Sequence, residues 1–143
     1  MLTPVPPCGI CYWCVRGEPG CCVNAACITS NAHADGQTGL ARGDTTVFRG
    51  VGLGAFGEYV VVPATGAIKI ASDIPLDVVS LIGCGVMTGV GAAINTAKIT
   101  PGSSVIVFGC GGVGISAIQG ARIAGAAEIV AVDALASKLE IAR

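Results

Sequence analysis

Four cysteines in one short stretch, Cys8-x2-Cys11-x2-Cys14-x7-Cys22, constrain this chain more than any other feature. Two-residue spacers let successive sulfurs point inward around one centre. The seven-residue return through Gly17 and Pro19-Gly20 brings back a fourth. Zinc takes four thiolates at tetrahedral corners, so the spacing predicts a structural zinc site. A disulfide framework is the competing reading of eight cysteines in 143 residues. Closely spaced cysteines pair poorly with each other, and Met1 to Cys8, broken by Pro4, Pro6 and Pro7, does not read as a signal peptide. A four-thiolate iron site is the other alternative. Cys21 competes with Cys22 for the fourth place, and the seven-residue spacing favours Cys22. Cys27 and Cys110 read as free thiols behaving as small apolar residues.

The segment up to about Arg49 is loop-like, rich in Cys, Gly, Asn, Asp and Thr. A region of that kind needs a staple other than a hydrophobic core. His33, the only histidine, sits in a polar stretch and reads as a solvated loop residue. From Gly57 the pattern changes. Glu58–Pro63 and Ala67–Ile70 both read as strands. Asp73 reads as a helix cap, with Pro75 near the first turn of a glycine-interrupted helical stretch reaching Ala97.

Composition closes off several classes of function. Hydrophobic residues make up 52% and charged residues 12%, which argues against disorder. A net charge of -1 with no basic run excludes a phosphate-binding surface for nucleic acid. Val78 to Ala97 and Ile99 to Ala121 carry no charge, but their glycines and Pro101-Gly102 read as helix, turn and buried parallel strand rather than membrane spans. A cytoplasmic location is the default expectation.

Val105–Phe108 is a short apolar run of the kind found in buried parallel strands. It leads directly into Gly109-Cys110-Gly111-Gly112-Val113-Gly114, which matches G-x-G-x-x-G and opens a helical segment, Ile115 to Ala124, stopped by Gly125. In such a turn Gly109 permits the tight bend, Gly111 lets the backbone approach a pyrophosphate, and Gly114 lets helix pack on strand. The helix start offers amides and a positive dipole end to phosphates. Asp133 lies 19 residues after Gly114, closing a second strand at Glu128–Val132. An acid there meets a ribose 2′-hydroxyl and repels a 2′-phosphate, so NAD is expected over NADP. A further helix starts at Ser137.

Taken together, these residues resemble the zinc-containing medium-chain alcohol dehydrogenase family. Pro7-Cys8-Gly9-x-Cys11-x2-Cys14-x2-Gly17-x-Pro19 with Cys22 is similar to its structural zinc lobe. Phe56-Gly57-Glu58-Tyr59 is similar to the strand after the lobe, and Leu81-Ile82-Gly83-Cys84-Gly85-x2-Thr88-Gly89 to the segment holding a catalytic zinc ligand. The resemblance implies an α/β fold. Residues 1–85 would be the zinc-lobe part of a GroES-like catalytic domain. Residues 86–143 would be the first half of a doubly wound Rossmann sheet. It implies Cys84 as a catalytic zinc ligand, Thr88 in the catalytic site, Thr88 and Val113 at the nicotinamide, and Lys138 at the adenosine ribose. The implied reaction is zinc-assisted hydride transfer from an alcohol to NAD. Polyol or thiol-aldehyde-adduct substrates, or a non-catalytic zinc module, are the alternatives. The implied complete protein is a homo-oligomer acting on a small alcohol or aldehyde, with no nucleic-acid or membrane partner. The family's other catalytic zinc ligands and the start of its proton relay lie upstream of the lobe. The chain is therefore expected to be an incomplete, inactive internal piece.

Overall fold

The computed structural model describes residues 1–25, 27–33 and 35–143, without the side chains of residues 27 and 28. The free-thiol reading of Cys27 thus lies outside the described residues. The chain is a small mixed α/β structure in two compact units, Met1–Asp73 and Ile74–Arg143. The compact units divide at 73/74, whereas the expected domain boundary lies at 85/86.

Regular structure in the first unit is sparse. Besides short 3₁₀ turns it comprises two one-turn helices, α1 (Tyr12–Val15) and α2 (Cys27–Ser30), and a hairpin of β1 (Ala41–Arg42) with β2 (Thr45–Thr46). Gly43 turns the hairpin at φ +60°, a conformation that favours glycine. Its buried residues include Cys22, Ala25, Ala32, Thr38 and Arg49, while Ile10, Val15, Phe48, Phe56 and Tyr59 are exposed. Small side chains supply little burial energy, at about 25 cal/mol per Å² of apolar surface. Polar ties therefore carry much of the order. The Arg49 guanidinium donates to the carbonyls of Leu53 (2.8 Å) and Val61 (3.0 Å), and the Arg49 backbone N–H donates to the Asn31 carbonyl (2.7 Å).

Three expectations are corrected here. Glu58–Pro63 forms no strand, and Ala67–Ile70 is reduced to a single antiparallel bridge between Ala67 and Leu2. A β-branched run becomes a strand only where a neighbour completes its ladder. Tyr59 is 94% exposed, and the Val61 carbonyl is taken by Arg49 instead. His33, expected to be solvated, is half-buried, with its ring against the Arg49 guanidinium.

The second unit follows the sequence reading closely. Helix α3 (Leu76–Val79) begins after Pro75, which occupies the cap position. Asp73 is therefore not the cap. Helical structure continues through π-helical turns at Ile82–Val86 and Ala92–Thr96, on either side of α4 (Met87–Gly91). Strand β3 (Ser104–Phe108), helix α5 (Gly112–Ile123), parallel strand β4 (Glu128–Val132) and helix α6 (Ala136–Ile141) complete the unit. Val105 pairs with Ile129 and Phe108 with Val132. Gly125, at φ +83°, ends α5.

Val105 and Val107 are half-buried on the side where α5 lies. Ile106, Phe108, Val130 and Val132 are exposed on the opposite face. The apolar run Val105–Phe108 is thus covered on one face among the described residues, not on both as expected. Glycines set how closely the helices approach. A Cβ at Gly120 would lie 2.9 Å from the Ala93 Cβ and 2.9 Å from the Val90 Cα. A Cβ at Gly89 would overlap the Val113 carbonyl and lie 2.7 Å from the Ala117 amide nitrogen. Replacing Gly89 with Ala should therefore destabilise this unit by about 1–3 kcal/mol, the usual cost of overpacking. Thermal melting of the variant would measure it, and an unchanged midpoint would contradict the close approach.

Candidate metal centre and glycine turn

The sulfurs of Cys8, Cys11, Cys14 and Cys22 lie within 4.8 Å of one another. Local structure explains the gathering. Gly9 takes φ +77°, which lets the chain double back between Cys8 and Cys11. Helix α1 then places Cys14 one turn on, with the Val15 N–H donating to the Cys11 carbonyl at 3.1 Å. Gly17 at φ +81° and the 3₁₀ turn Pro19–Cys21 reverse the chain and deliver Cys22. Cys22 is buried and belongs to the group, while the neighbouring Cys21 is exposed and does not.

Cys8 and Cys14 sulfurs are 4.0 Å apart, and those of Cys11 and Cys22 are 3.9 Å apart. A tetrahedral ion with metal–sulfur bonds of about 2.3 Å has sulfur–sulfur edges of about 3.8 Å. The four residues therefore fit zinc in both chemistry and spacing. N–H groups point at the sulfurs. Cys8 Sγ accepts from the Cys11 N–H and from the Asn24 side-chain amide, each at 3.4 Å, and Cys22 Sγ accepts from the Cys8 N–H at 3.4 Å. The Ile10 N–H, helped by Asn24, lowers the Cys8 thiol to about 6. The N–H groups of Cys14 and Val23 lower Cys11. Loss of solvent pushes Cys14 up to about 11. Among the described residues, this is the one group of three or more His, Cys, Asp or Glu side chains able to hold an ion.

The glycine turn has its own brace. Gly109 takes φ +90° and donates its N–H to the Val132 carbonyl at 2.7 Å, closing the end of the parallel pair. The Asp133 carboxylate accepts the Cys110 N–H at 2.7 Å and the Leu135 N–H at 2.9 Å. The Cys110 N–H is the first cause of Asp133 lying below its ordinary value, followed by the Leu135 N–H, and the Lys138 charge adds to them. A Cβ on Gly114 would fall on the Gly109 carbonyl oxygen, while one at Gly111 or Gly112 would meet nothing within 4 Å. Gly114 thus chiefly protects the turn itself, with the strand side chain Val107 next at 3.8 Å. No side chain caps α5 at Gly111. The first amides of a helix lack intrahelical partners, so this end can receive an anion.

The remaining predicted residues fall elsewhere in the second unit. Cys84 is exposed in the π-helical turn before α4. It borders a cavity of about 470 Å³ with Ser80, Gly85, Gly112, Ser116 and Gln119. Thr88 and Val113 are exposed on α4 and α5, and Lys138 is exposed on α6. Cys110 is fully buried, with its sulfur 3.9 Å from the Val132 carbonyl. Two contributors were not foreseen from sequence. One is Asn24, whose only signal was its place two residues after Cys22. The other is Ser116, buried and donating to the Gly112 carbonyl at 2.7 Å.

No family model matches the chain. Over 133 residues it is 41% identical to alcohol dehydrogenase 6 of Rattus norvegicus, covering 93% of this chain and 35% of that protein. The crystal structure of an alcohol dehydrogenase zinc-binding domain protein from Burkholderia ambifaria superposes with a TM-score of 0.90. It is 36% identical, and the match covers 99% of this chain and 39% of that one. A structure described as a short chain alcohol dehydrogenase from Escherichia coli CFT073 complexed with NADH superposes with a TM-score of 0.67 at 26% identity, covering 99% of this chain and 36% of that one. All three of these relatives are alcohol dehydrogenases. Over nearly its whole length the chain is similar to zinc-containing alcohol dehydrogenases, and it spans about a third of the length of the curated relatives it matches.

Two outcomes follow from the titrating groups. Zinc binds thiolate, not thiol, so the Cys14 proton, retained at neutral pH, must leave when the ion enters. Zinc binding at pH 7 should release protons, and apparent affinity should rise from pH 6 to 8. Calorimetry in buffers of different ionisation enthalpy would show this, and zero proton release would contradict it. For Asp133 the folded value lies below 3.8. Its contribution to the turn is complete above that pH and is lost as pH falls through the folded value. Asp133→Asn should therefore speed amide exchange at Cys110 near neutral pH, with the difference shrinking in acid.

Proposed function

We propose that the complete protein is an NAD-dependent zinc alcohol dehydrogenase, oxidising a small alcohol or reducing the corresponding aldehyde. The observation that carries the coenzyme part is the braced glycine turn. Gly109, held by the Val132 carbonyl, bends the chain, Gly111 and Gly112 leave open space, and the start of α5 faces it with free donor capacity. A pyrophosphate suits that end of the helix electrostatically. Asp133 and Lys138, close enough to interact, are assigned to the adenosine ribose, and Val113 to the nicotinamide. The alcohol part is supported by the names of the relatives.

In this reading Cys8, Cys11, Cys14 and Cys22 hold a structural zinc that stands in for a core in the lobe. Cys84 supplies one ligand of a catalytic zinc, and Thr88 lies with it in the catalytic site. When bound, that second ion supplies Lewis acidity to the alcohol oxygen. The Rossmann half begins at residue 86, the GroES-like part occupies residues 1–85, and the complete enzyme assembles as a homo-oligomer.

The test is coenzyme selectivity in the complete enzyme. Removing the carboxylate with Asp133→Gly should reduce NAD use relative to NADP by about tenfold, the worth of one charge-assisted hydrogen bond. An unchanged ratio of kcat/KM values would overturn the Asp133 assignment. The 143-residue chain itself should bind one zinc and form no NADH from alcohol.

A further inference from the structure

The donors around the four sulfurs differ in kind. Those from Cys8 and Cys11 are backbone amides, present whatever side chains the sequence carries. The Asn24 contact to Cys8 Sγ, at 3.4 Å, comes from a side chain. Asn24 sits in a turn closed by the Ala25 N–H donating to the Cys22 carbonyl at 3.2 Å. The same turn therefore sets both the fourth sulfur and this donor. Asparagine suits such a turn and has two N–H groups to give. Its side chain is exposed and Cys8 is half-buried, so the amide lies on the solvent side of that sulfur.

Four thiolates around one divalent cation carry a net charge of −2. Each N–H aimed at a sulfur draws electron density from it, which makes the sulfur a poorer target for protons and competing electrophiles. We infer that Asn24 is a positioning residue of the metal centre, donating to Cys8 Sγ and slowing both loss of the ion and attack on that sulfur. This rests on reading the four cysteines as a zinc site. Groups that hydrogen-bond metal ligands commonly change affinity by about 10- to 100-fold when removed.

The test uses the full chain loaded with zinc and, separately, with cobalt(II). Asn24→Ala removes the donor. Asn24→Asp keeps the shape but turns a carboxylate oxygen toward the sulfur. Zinc transfer to a chromophoric chelator should speed up about tenfold in Asn24→Ala and more in Asn24→Asp. The sulfur-to-cobalt charge-transfer band should move to lower energy in both, because a sulfur freed of its hydrogen bond gives up electron density more readily. Faster release with an unmoved band would mean that Asn24 only supports the loop, and would overturn the inference. So would release within twofold of the parent chain in both variants. A parent chain that binds no zinc, or a Cys22→Ser chain that binds it equally well, would instead overturn the metal reading beneath it.

Discussion

Four thiol groups converge within 4.8 Å in the first unit, and nearly everything from Pro7 to Ala25 is arranged around that convergence. The bend at Gly9 brings Cys11 back to Cys8, the single turn of α1 delivers Cys14, and the reversal at Gly17 delivers Cys22. None of these pieces has an apolar face large enough to hold itself. The buried residues are Cys22 and small or polar neighbours, while Ile10, Val15 and Val23 face solvent. Isolated one-turn helices are unstable in water because nucleation costs more than a single turn returns. The order in this region therefore depends on what ties the sulfurs together. Arg49 plays a comparable part further on, gathering Leu53 and Val61 by hydrogen bonds where packing would otherwise do so.

The second unit is governed by close approach instead. Gly89 and Gly120 bring α4 and the turn after it against α5, and α5 in turn covers one face of the parallel pair. Asp133 then joins the end of β4 to the turn after β3 through the Cys110 N–H. A residue expected from sequence to face a ribose thus also braces the backbone that would cradle the phosphates. In the proposed reading, orientation of the turn and recognition of the sugar converge on one carboxylate.

Much of the second unit was legible in the sequence because its signals are local and agree. The apolar run, glycine cluster, helical composition and Gly125 stop all lie in order, and β3, α5 and β4 form where they point. The first unit was legible only in its cysteines. Glu58–Pro63 has the composition of a strand, but strand formation depends on a partner that composition does not name. Asp73 was a plausible cap, yet Pro75 sets the start of α3. The His33–Arg49 contact joins residues 16 apart, and the Asn24 contact to Cys8 spans the same separation. Neither has a sequence period to announce it. The seven-residue count did separate Cys22 from Cys21, because the reversal at Pro19–Cys21 has a fixed length and leaves Cys21 facing outward.

The glycine turn also divides by origin of constraint. Gly109 is demanded by its backbone angle and Gly114 by the carbonyl oxygen that any Cβ would strike. Both are required for the chain to fold, with or without a bound molecule. Gly111 has ordinary extended angles, and neither it nor Gly112 has a neighbour within 4 Å of a Cβ position. The fold alone would accept alanine at both. In a mutational scan, a screen for folded protein should see only the outer pair, Gly109 and Gly114. If a coenzyme occupies the turn as proposed, a screen for activity should see all four, and the two screens would differ at the positions where a ligand, rather than the polypeptide, fills the space.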